Sequence, residues 1–396
     1  MMRILHISRM NFDSNKAHVY TMSKTCEAFA MQKGVEVTLL SSDNSLISDT
    51  AKQAFYLKHD IQTKFPIVSL SSTSNIFKKS RFRPFNWLET FFTNTSILWY
   101  VIKNRKNFDV LYYRDWSLIL PILFAKYVLS KPVYIEIHAV LHANYKQKLN
   151  NFFCRISDGV IAISVGLADY YKKINPKTIV SFCAAAEPER FARITESKEQ
   201  LREKFHLPQD KVILMYSGNL YKTGNNDSYG IEDIVMAMTK LTDEFLFVGV
   251  GKKGGETREH EKLAEVHHVS QRVMFLPYVA KQTVYEYWKS SDVLLLPAAG
   301  AQIGNSPTKM FEYLVSGKPI VSARTKAMEE VLVDGKNALL VTDYKNPSEW
   351  ADAIQRVTNN SEARDSLVSG ALEDSKRYTW DNRGKEITRF IQEGIH

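Results

Sequence analysis

The sequence predicts an α/β protein made of two doubly wound, Rossmann-like domains. Three observations carry that expectation. At 396 residues the chain exceeds what a single hydrophobic core usually supports. Short, continuous apolar runs such as Val212–Tyr216, Phe245–Gly249 and Val293–Pro297 alternate with helical patterns, as expected of parallel strands buried on both faces. Polar or glycine-bearing turns, Ser217-Gly218-Asn219 and Gly249-Val250-Gly251, follow two of these runs, at the carboxyl rim where open α/β sheets bind ligands.

Composition narrows the class. With 44% hydrophobic and 24% charged residues, the chain reads as a soluble globular protein with a sizeable core. It has no run of about 18 uncharged apolar residues, and Met1-Met2-Arg3-Ile4-Leu5-His6 enters a strand without a signal-peptide pattern, so the expected location is the cytosol. Cys26, Cys154 and Cys183 show no metal-ligand spacing and read as reduced, buried residues. No Asp-x-Asp pair is present, so neither a metal nor another cofactor is expected. Residues 1–195 hold 26 Lys and Arg against 14 Asp and Glu, whereas residues 196–396 hold 26 against 29. That asymmetry points to an anionic partner for the first half.

In the first half, Arg3–Ser8 and Val35–Leu40 read as strands around a helical stretch, Met22–Gln32. The intervening turn lacks the Gly-x-Gly-x-x-Gly fingerprint of dinucleotide binding, which weakens a nicotinamide-dependent oxidoreductase. Lys16 and His18 in this turn are candidates for polar contacts. Lys78, Lys79, Arg81 and Arg83 alternate with Phe77, Phe82, Phe85 and Trp87, a composition suited to an anionic membrane surface, with an ordinary surface loop as the alternative. No nucleic-acid module frames these residues, so no nucleic-acid partner is expected. Strands follow at Asp109–Tyr113, Pro132–His138, Asp158–Ser164 and Ile179–Cys183. Arg114-Asp115 reads as an ion pair or as cleft lining, and His138 sits at a strand's carboxyl end, where a satisfied core histidine is the alternative.

In the second half, Ile303–Val321 reads as a loop, a short helix starting near Pro307 and stopped by Gly317, and a buried strand, Pro319–Ala323. The helix entrance offers unpaired N–H groups and a positive dipole end suited to phosphate. Glu312, one turn inside, is placed to accept both hydroxyls of a ribose. Asn346-Pro347 opens a further helix, and the chain ends in a helix over Asn382–Gln392.

Tyr216-Ser217-Gly218-Asn219-Leu220, Val248-Gly249-Val250-Gly251, Arg272–Val279, Ser291–Pro297 and Ser306-Pro307-Thr308-Lys309-Met310-Phe311-Glu312-Tyr313 together resemble the GT-B glycosyltransferases, specifically retaining family 4. The resemblance implies two Rossmann-like domains facing a central cleft: residues 1–190 with a returning helix at 380–396 on the acceptor side, and 208–378 on the donor side. The boundary is expected between Pro188 and Asp210. It further implies that Gly218, Asn219, Gly251 and the 305–309 entrance (Asn305, Ser306, Pro307, Thr308, Lys309) surround a nucleoside diphosphate. Lys222 would be its first cation and Lys309 the reserve; Glu312 would hold the ribose, Tyr278 and Val279 the base, and His138 the transferred sugar. Lys16, His18, Lys78, Lys79, Arg81, Arg83, Trp87 and Arg114 belong to the acceptor or membrane side.

The sequence departs from the family pattern in three places. The early glycines are missing, Asn219 replaces a usual arginine, and Gly304 replaces the first of two glutamates. The implied reaction is retaining transfer of a hexosyl or N-acetylhexosaminyl unit from a UDP- or GDP-sugar to a glycan or lipid-linked saccharide. The expected setting is cell-surface polysaccharide or glycoconjugate assembly, in the cytoplasm, with a peripheral position on the inner face of the membrane as the further option. A catalytically inactive binding or scaffold subunit is the alternative.

Overall fold

The computed structural model describes residues 1–9, 17–42, 46–70, 84–141, 144–183, 185–220, 230–252, 255–297 and 308–395, the side chains at 17, 84–87, 252 and 255–256 excepted. The chain divides into two compact units, Met1–Cys183 with Trp380–His396, and Ala184–Thr379.

The first unit is built on β1 (Met2–Ser8), β2 (Val35–Ser41), β3 (Ile67–Ser69), β4 (Val110–Tyr113), β5 (Val133–Ile137), β6 (Gly159–Ala162) and β7 (Thr178–Val180). Their order is β3-β2-β1-β4-β5-β6-β7, all parallel. Every residue of β4 and β5 is buried, which is why these strands read as apolar runs in which Glu136 is the one charged residue. The order reverses between β1 and β4. Their register pairs Ile7 with Tyr113, so Arg9 and Arg114 both emerge just past this switch point.

The second unit carries β8 (Val212–Asn219), β9 (Phe245–Lys252), β10 (Val273–Leu276), β11 (Val293–Leu296), β12 (Ile320–Ala323) and β13 (Leu339–Val341), in the parallel order β10-β9-β8-β11-β12-β13. Gly218 and Gly251, expected in turns, are the paired last rungs but one of β8 and β9. Their φ angles are 150° and 159°, and a Cβ on Gly251 would lie 1.6 Å from Gly218 O, so only glycine permits this approach. Local signals start several helices as the sequence suggests. Asn346 caps Pro347–Asn359 by accepting from Ser348 N–H, and Ser197 with Gln200 forms a capping box on Lys198–Lys204.

The chain passes into the second unit at Ala184, earlier than the Pro188–Asp210 stretch expected from sequence. The reason is local pairing: Ala186 N–H donates to Tyr378 O at 2.7 Å, and Glu187 meets Lys281 at 2.7 Å, so these residues pack with the second unit. The last strand of the first unit is also shorter than expected, stopping at Val180.

A second correction concerns the aromatic and basic segment. Residues 71–83 lie outside the described residues, but a helix, Pro84–Lys103, begins inside the stretch read as a membrane-facing segment or, alternatively, an ordinary surface loop. Proline at its first position suits a helix start, and Ile97 and Val101 lie one turn apart on its buried side. Asn94 on this helix accepts from Leu120 N–H and donates to Ser117 O, fixing the segment after β4.

The final helix, Trp380–Ile395, packs on the first unit through Trp380, Arg383, Gly384, Ile387, Thr388 and Ile391, at helical spacing. A Cβ on Gly384 would meet Ala28 O at 2.3 Å, so glycine lets the helix close on Ala17–Ala30. Its Arg383 Nη2 reaches Glu136 Oε2 on β5 at 2.7 Å, both side chains being buried. Removing one partner of a buried ion pair costs about 3–5 kcal/mol, because the other is left uncompensated. Arg383→Met is therefore expected to lower the denaturation midpoint strongly, and adding Glu136→Gln to restore part of it. Equal midpoints for wild type and Arg383→Met would contradict this role.

Candidate functional site

In the second unit, the helix Thr308–Leu314 buries Met310, Phe311, Tyr313 and Leu314, leaving Thr308, Lys309 and Glu312 half-buried on its other side. Gly317, with φ 67°, follows it and lets the chain turn into β12. Tyr313 Oη accepts from Ser217 N–H at 3.3 Å, and Trp288 Nε1 donates to Ser217 Oγ at 3.0 Å, which pins this helix to the carboxyl end of β8. Lys309 is thereby laid against Gly218: a Cβ there would come within 2.6 Å of Lys309 Nζ and 2.7 Å of Tyr216 Oη. The ammonium sits 5.4 Å from the centroid of the Tyr216 ring. Burial lowers the pKa of Lys309, against the opposing pull of Glu312.

Glu312 Oε1 is 2.9 Å from Lys281 Nζ, which also lies 2.7 Å from Glu187 Oε2. Lys281 opens the helix Lys281–Ser290 directly after Tyr278, Val279 and Ala280, so the predicted base-contacting residues and the predicted ribose ligand meet through it. Tyr278 is 69% exposed. Gly218, Asn219, Gly251, Tyr278, Val279, Thr308, Lys309 and Glu312 thus share the carboxyl rim of one sheet. Lys222, Gly304, Asn305, Ser306 and Pro307 lie outside the described residues.

In the first unit, a cleft of about 620 Å³ opens at the switch point, with Ser8, Arg9, His18, Arg114, Asp115, Trp116, Glu136 and His138 in its lining. Three residues singled out separately, His18, Arg114 and His138, are brought together there. Asp115 Oδ1 accepts from Ser117 N–H at 2.8 Å, and Arg114 and Asp115 both belong to the cleft lining. Arg9 donates to Ser117 Oγ at 3.1 Å and lies 3.5 Å from Glu89. Lys16, Lys78, Lys79, Arg81 and Arg83 lie outside the described residues, as does the side chain of Trp87.

The sequence did not single out Glu136. Alternate residues of a strand share a face, and Glu136 with His138 uses that spacing: His138 Nε2 lies 2.5 Å from Glu136 Oε1. Tyr112 Oη donates to the same carboxylate, and Arg383 completes the set. Burial alone would raise the Glu136 pKa, but Arg383, His138 and Tyr112 together hold it well below the ordinary carboxylate range. For His138, burial outweighs the pull of Glu136 and lowers the pKa. A charged residue inside an otherwise apolar strand run was the available signal. Lys281 had no comparable one, since nothing local ties it to Glu312.

Glu136, His138 and Cys183 place ligand atoms within 4.8 Å of one another, the separation a metal would need. Arg383 pairs with the carboxylate, and burial pushes the Cys183 thiol up to about 12.

The two parallel sheets, with a polar rim on each, have the GT-B fold. Residues 197–374, most of the second unit, match the family model described as "Glycosyl transferases group 1". Among curated relatives, a D-inositol 3-phosphate glycosyltransferase of Nocardioides sp. is 25% identical over 203 residues, 48% of this chain and 43% of its own. An uncharacterized glycosyltransferase of Methanocaldococcus jannaschii is 24% identical over 69% of this chain and 71% of its own. The chain spans about half the length of the inositol phosphate relatives it matches. Among solved structures, Anabaena HepE in complex with UDP superimposes with a TM-score of 0.73 at 16% identity, covering 99% of this chain and 100% of that one. Sucrose-phosphate synthase from Thermosynechococcus elongatus gives 0.72 at 14% identity, covering 99% of each. These likenesses establish the fold.

The electrostatics of the first cleft generate a prediction. Burial pushes His6, beneath the rim, down to about 4, and it lowers His138 below the usual 6.5 or so. Both imidazoles are expected to be neutral at pH 7. In histidine-labelled NMR spectra, His6 should titrate near pH 4 and His138 below pH 6.5. A His138 that titrates above 6.5 would contradict the balance described.

Proposed function

We propose that this protein is a retaining glycosyltransferase that moves a hexosyl or N-acetylhexosaminyl unit from a nucleoside diphosphate sugar, UDP before GDP, to a glycan or lipid-linked saccharide. The observation that carries the reading is the pairing of Lys309 with the end of β8, one helical turn from Glu312. A half-buried cation beside closely approaching backbone suits a diphosphate, and a carboxylate at that spacing suits the ribose. The UDP in the Anabaena relative's structure supports the choice of nucleotide.

In this scheme Lys309, with backbone N–H groups at the helix entrance, stabilises the charge that grows on the departing diphosphate. Tyr278 and Val279 meet the base, and His138 meets the sugar. The acceptor oxygen bonds to the anomeric carbon on the face from which the β-phosphate oxygen leaves, and the acceptor's proton passes to that oxygen. No carboxylate pair is assigned to a double displacement, and the reaction is proposed to need no metal. An inactive scaffold remains the second reading, motivated by Gly304 and Asn219; transfer or slow donor hydrolysis by purified protein would exclude it.

The acceptor side is proposed to lie at a membrane surface. Among the described residues no helix is long and apolar enough to cross a membrane. The helix Pro84–Lys103, however, exposes Phe91 and Trp99, with Lys103 Nζ 4.9 Å over the Trp99 ring. It directly follows the segment bearing Lys78, Lys79, Arg81 and Arg83.

Three outcomes follow. Glu312→Gln, which keeps size and removes charge, is expected to weaken UDP binding by about 1.5–3 kcal/mol in a calorimetric titration; equal affinity would remove Glu312 from the nucleotide site. Lys309→Met should lower kcat by about ten- to a thousandfold with an unchanged fold, whereas a retained kcat would leave the diphosphate to other groups. Sedimentation with anionic vesicles should fall as salt shortens the Debye length, and the four-fold change of Lys78, Lys79, Arg81 and Arg83 to Ser should release the protein, each cation contributing about 1 kcal/mol. Binding indifferent to salt would return this segment to an ordinary loop.

A further inference from the structure

A second cavity, of about 430 Å³, lies at the opposite edge of the second sheet, where β8, β11 and β12 begin. This volume lies within the range of about 300–1,000 Å³ that holds small organic ligands. Its walls are partly apolar, with Val212, Val293 and Pro319 from the strand starts. Its charged groups are Lys198 on the helix Lys198–Lys204, Arg364 and Asp365 on the helix Ser361–Ser375, and Lys318 and Asp292 at the entrances to β12 and β11; Arg202, on the first of these helices, pairs with Asp292 from outside the lining.

The pairing among them leaves a cation over. Asp292 is shared by Lys198 and by Arg202 Nη2, the latter at 2.5 Å, and its Oδ2 also accepts from Ile213 N–H at 2.7 Å. Arg364 meets its neighbour Asp365 at 3.3 Å on an exposed side. Lys318 is held by its backbone, whose N–H donates to Ser316 Oγ at 3.1 Å, while its ammonium has no hydrogen-bond or ion-pair partner among the described residues. Three cations, Lys198, Lys318 and Arg364, face two carboxylates, Asp292 and Asp365, in the cavity, with Glu199 a further acid near Lys318. Half-buried positive charge in excess, beside apolar walls, is complementary to an organic anion.

We propose that this cavity is a binding site for a phosphorylated small molecule, with the phosphate on Lys318 and Arg364 and the organic part against Val212, Val293 and Pro319. The site stands apart from the nucleotide rim of the same sheet and is independent of the reading given above for that rim. Its chemistry also sets a pH dependence. Burial, with Lys198 and Arg202 adding to it and Asp292 and Glu199 opposing, brings the Lys318 pKa down to about 8. A bound phosphate raises that pKa, so affinity is full below pH 8 and falls as pH rises through it, about tenfold between pH 7 and pH 9.

The test is isothermal titration of the full chain, with the nucleotide rim saturated by UDP, using glucose 1-phosphate, inorganic phosphate and glucose as probes. Glucose 1-phosphate is expected to bind more tightly than inorganic phosphate, and glucose not to bind. Lys318→Gln should weaken the phosphorylated probes tenfold or more, Lys318→Arg should keep them, and UDP affinity should be unchanged in both, which certifies the fold. Inorganic phosphate binding as tightly as glucose 1-phosphate would overturn the organic subsite. No binding of either phosphate at millimolar concentration, or binding indifferent to Lys318→Gln, would overturn the site altogether. A protein that fails to bind UDP at all would instead count against the nucleotide reading, and the phosphate titration would still decide this one.

Discussion

The buried carboxylate of Glu136 is the point on which the first unit's cleft depends. It sits inside a strand whose every residue is buried, where a bare charge would cost several kcal/mol, and the unit supplies Arg383, Tyr112 and His138 to keep it ionised. Arg383 comes from the far end of the chain. The returning helix therefore closes the first unit's core and fixes the charge that holds His138 at the cleft floor. Cys183 lies 3.5 Å from the same carboxylate, so the residue at which the chain leaves the first unit and the helix by which it returns converge on one group.

The second unit solves a similar problem with glycine. β8 and β9 approach so closely at Gly218 and Gly251 that no side chain fits, and the space at the rim is taken instead by the Lys309 side chain. Tyr313 and Trp288, both buried, fix that arrangement through Ser217. Lys281 bridges Glu187 and Glu312, which links the first residues after the unit boundary to the proposed ribose ligand.

The fold was legible because parallel strands buried on both faces leave mostly apolar runs, and β1, β2, β4, β5, β8, β9 and β11 lie where those runs are. Helix starts were legible where a polar cap or proline marks them, as at Asn346-Pro347. The short β3 and the start of Pro84–Lys103 were not, the one for lack of length and the other because its first turn is composed like the basic and aromatic sequence before it. For the sites, residues at strand ends could be named one by one, since topology puts all such ends on one rim. Which of them meet could not. That Lys309 rests on Gly218, or that Arg383 pairs with Glu136 across 247 positions, depends on tertiary packing that no local pattern encodes.

The account's central claim is that the carboxyl rim of the second sheet is the nucleotide site. A crystal structure of the chain with UDP tests it most directly. The diphosphate is predicted beside Lys309 and the Gly218 backbone, with ribose hydroxyls on Glu312 and the base next to Tyr278. UDP seated elsewhere, with Lys309 and Glu312 out of hydrogen-bonding reach, would contradict it.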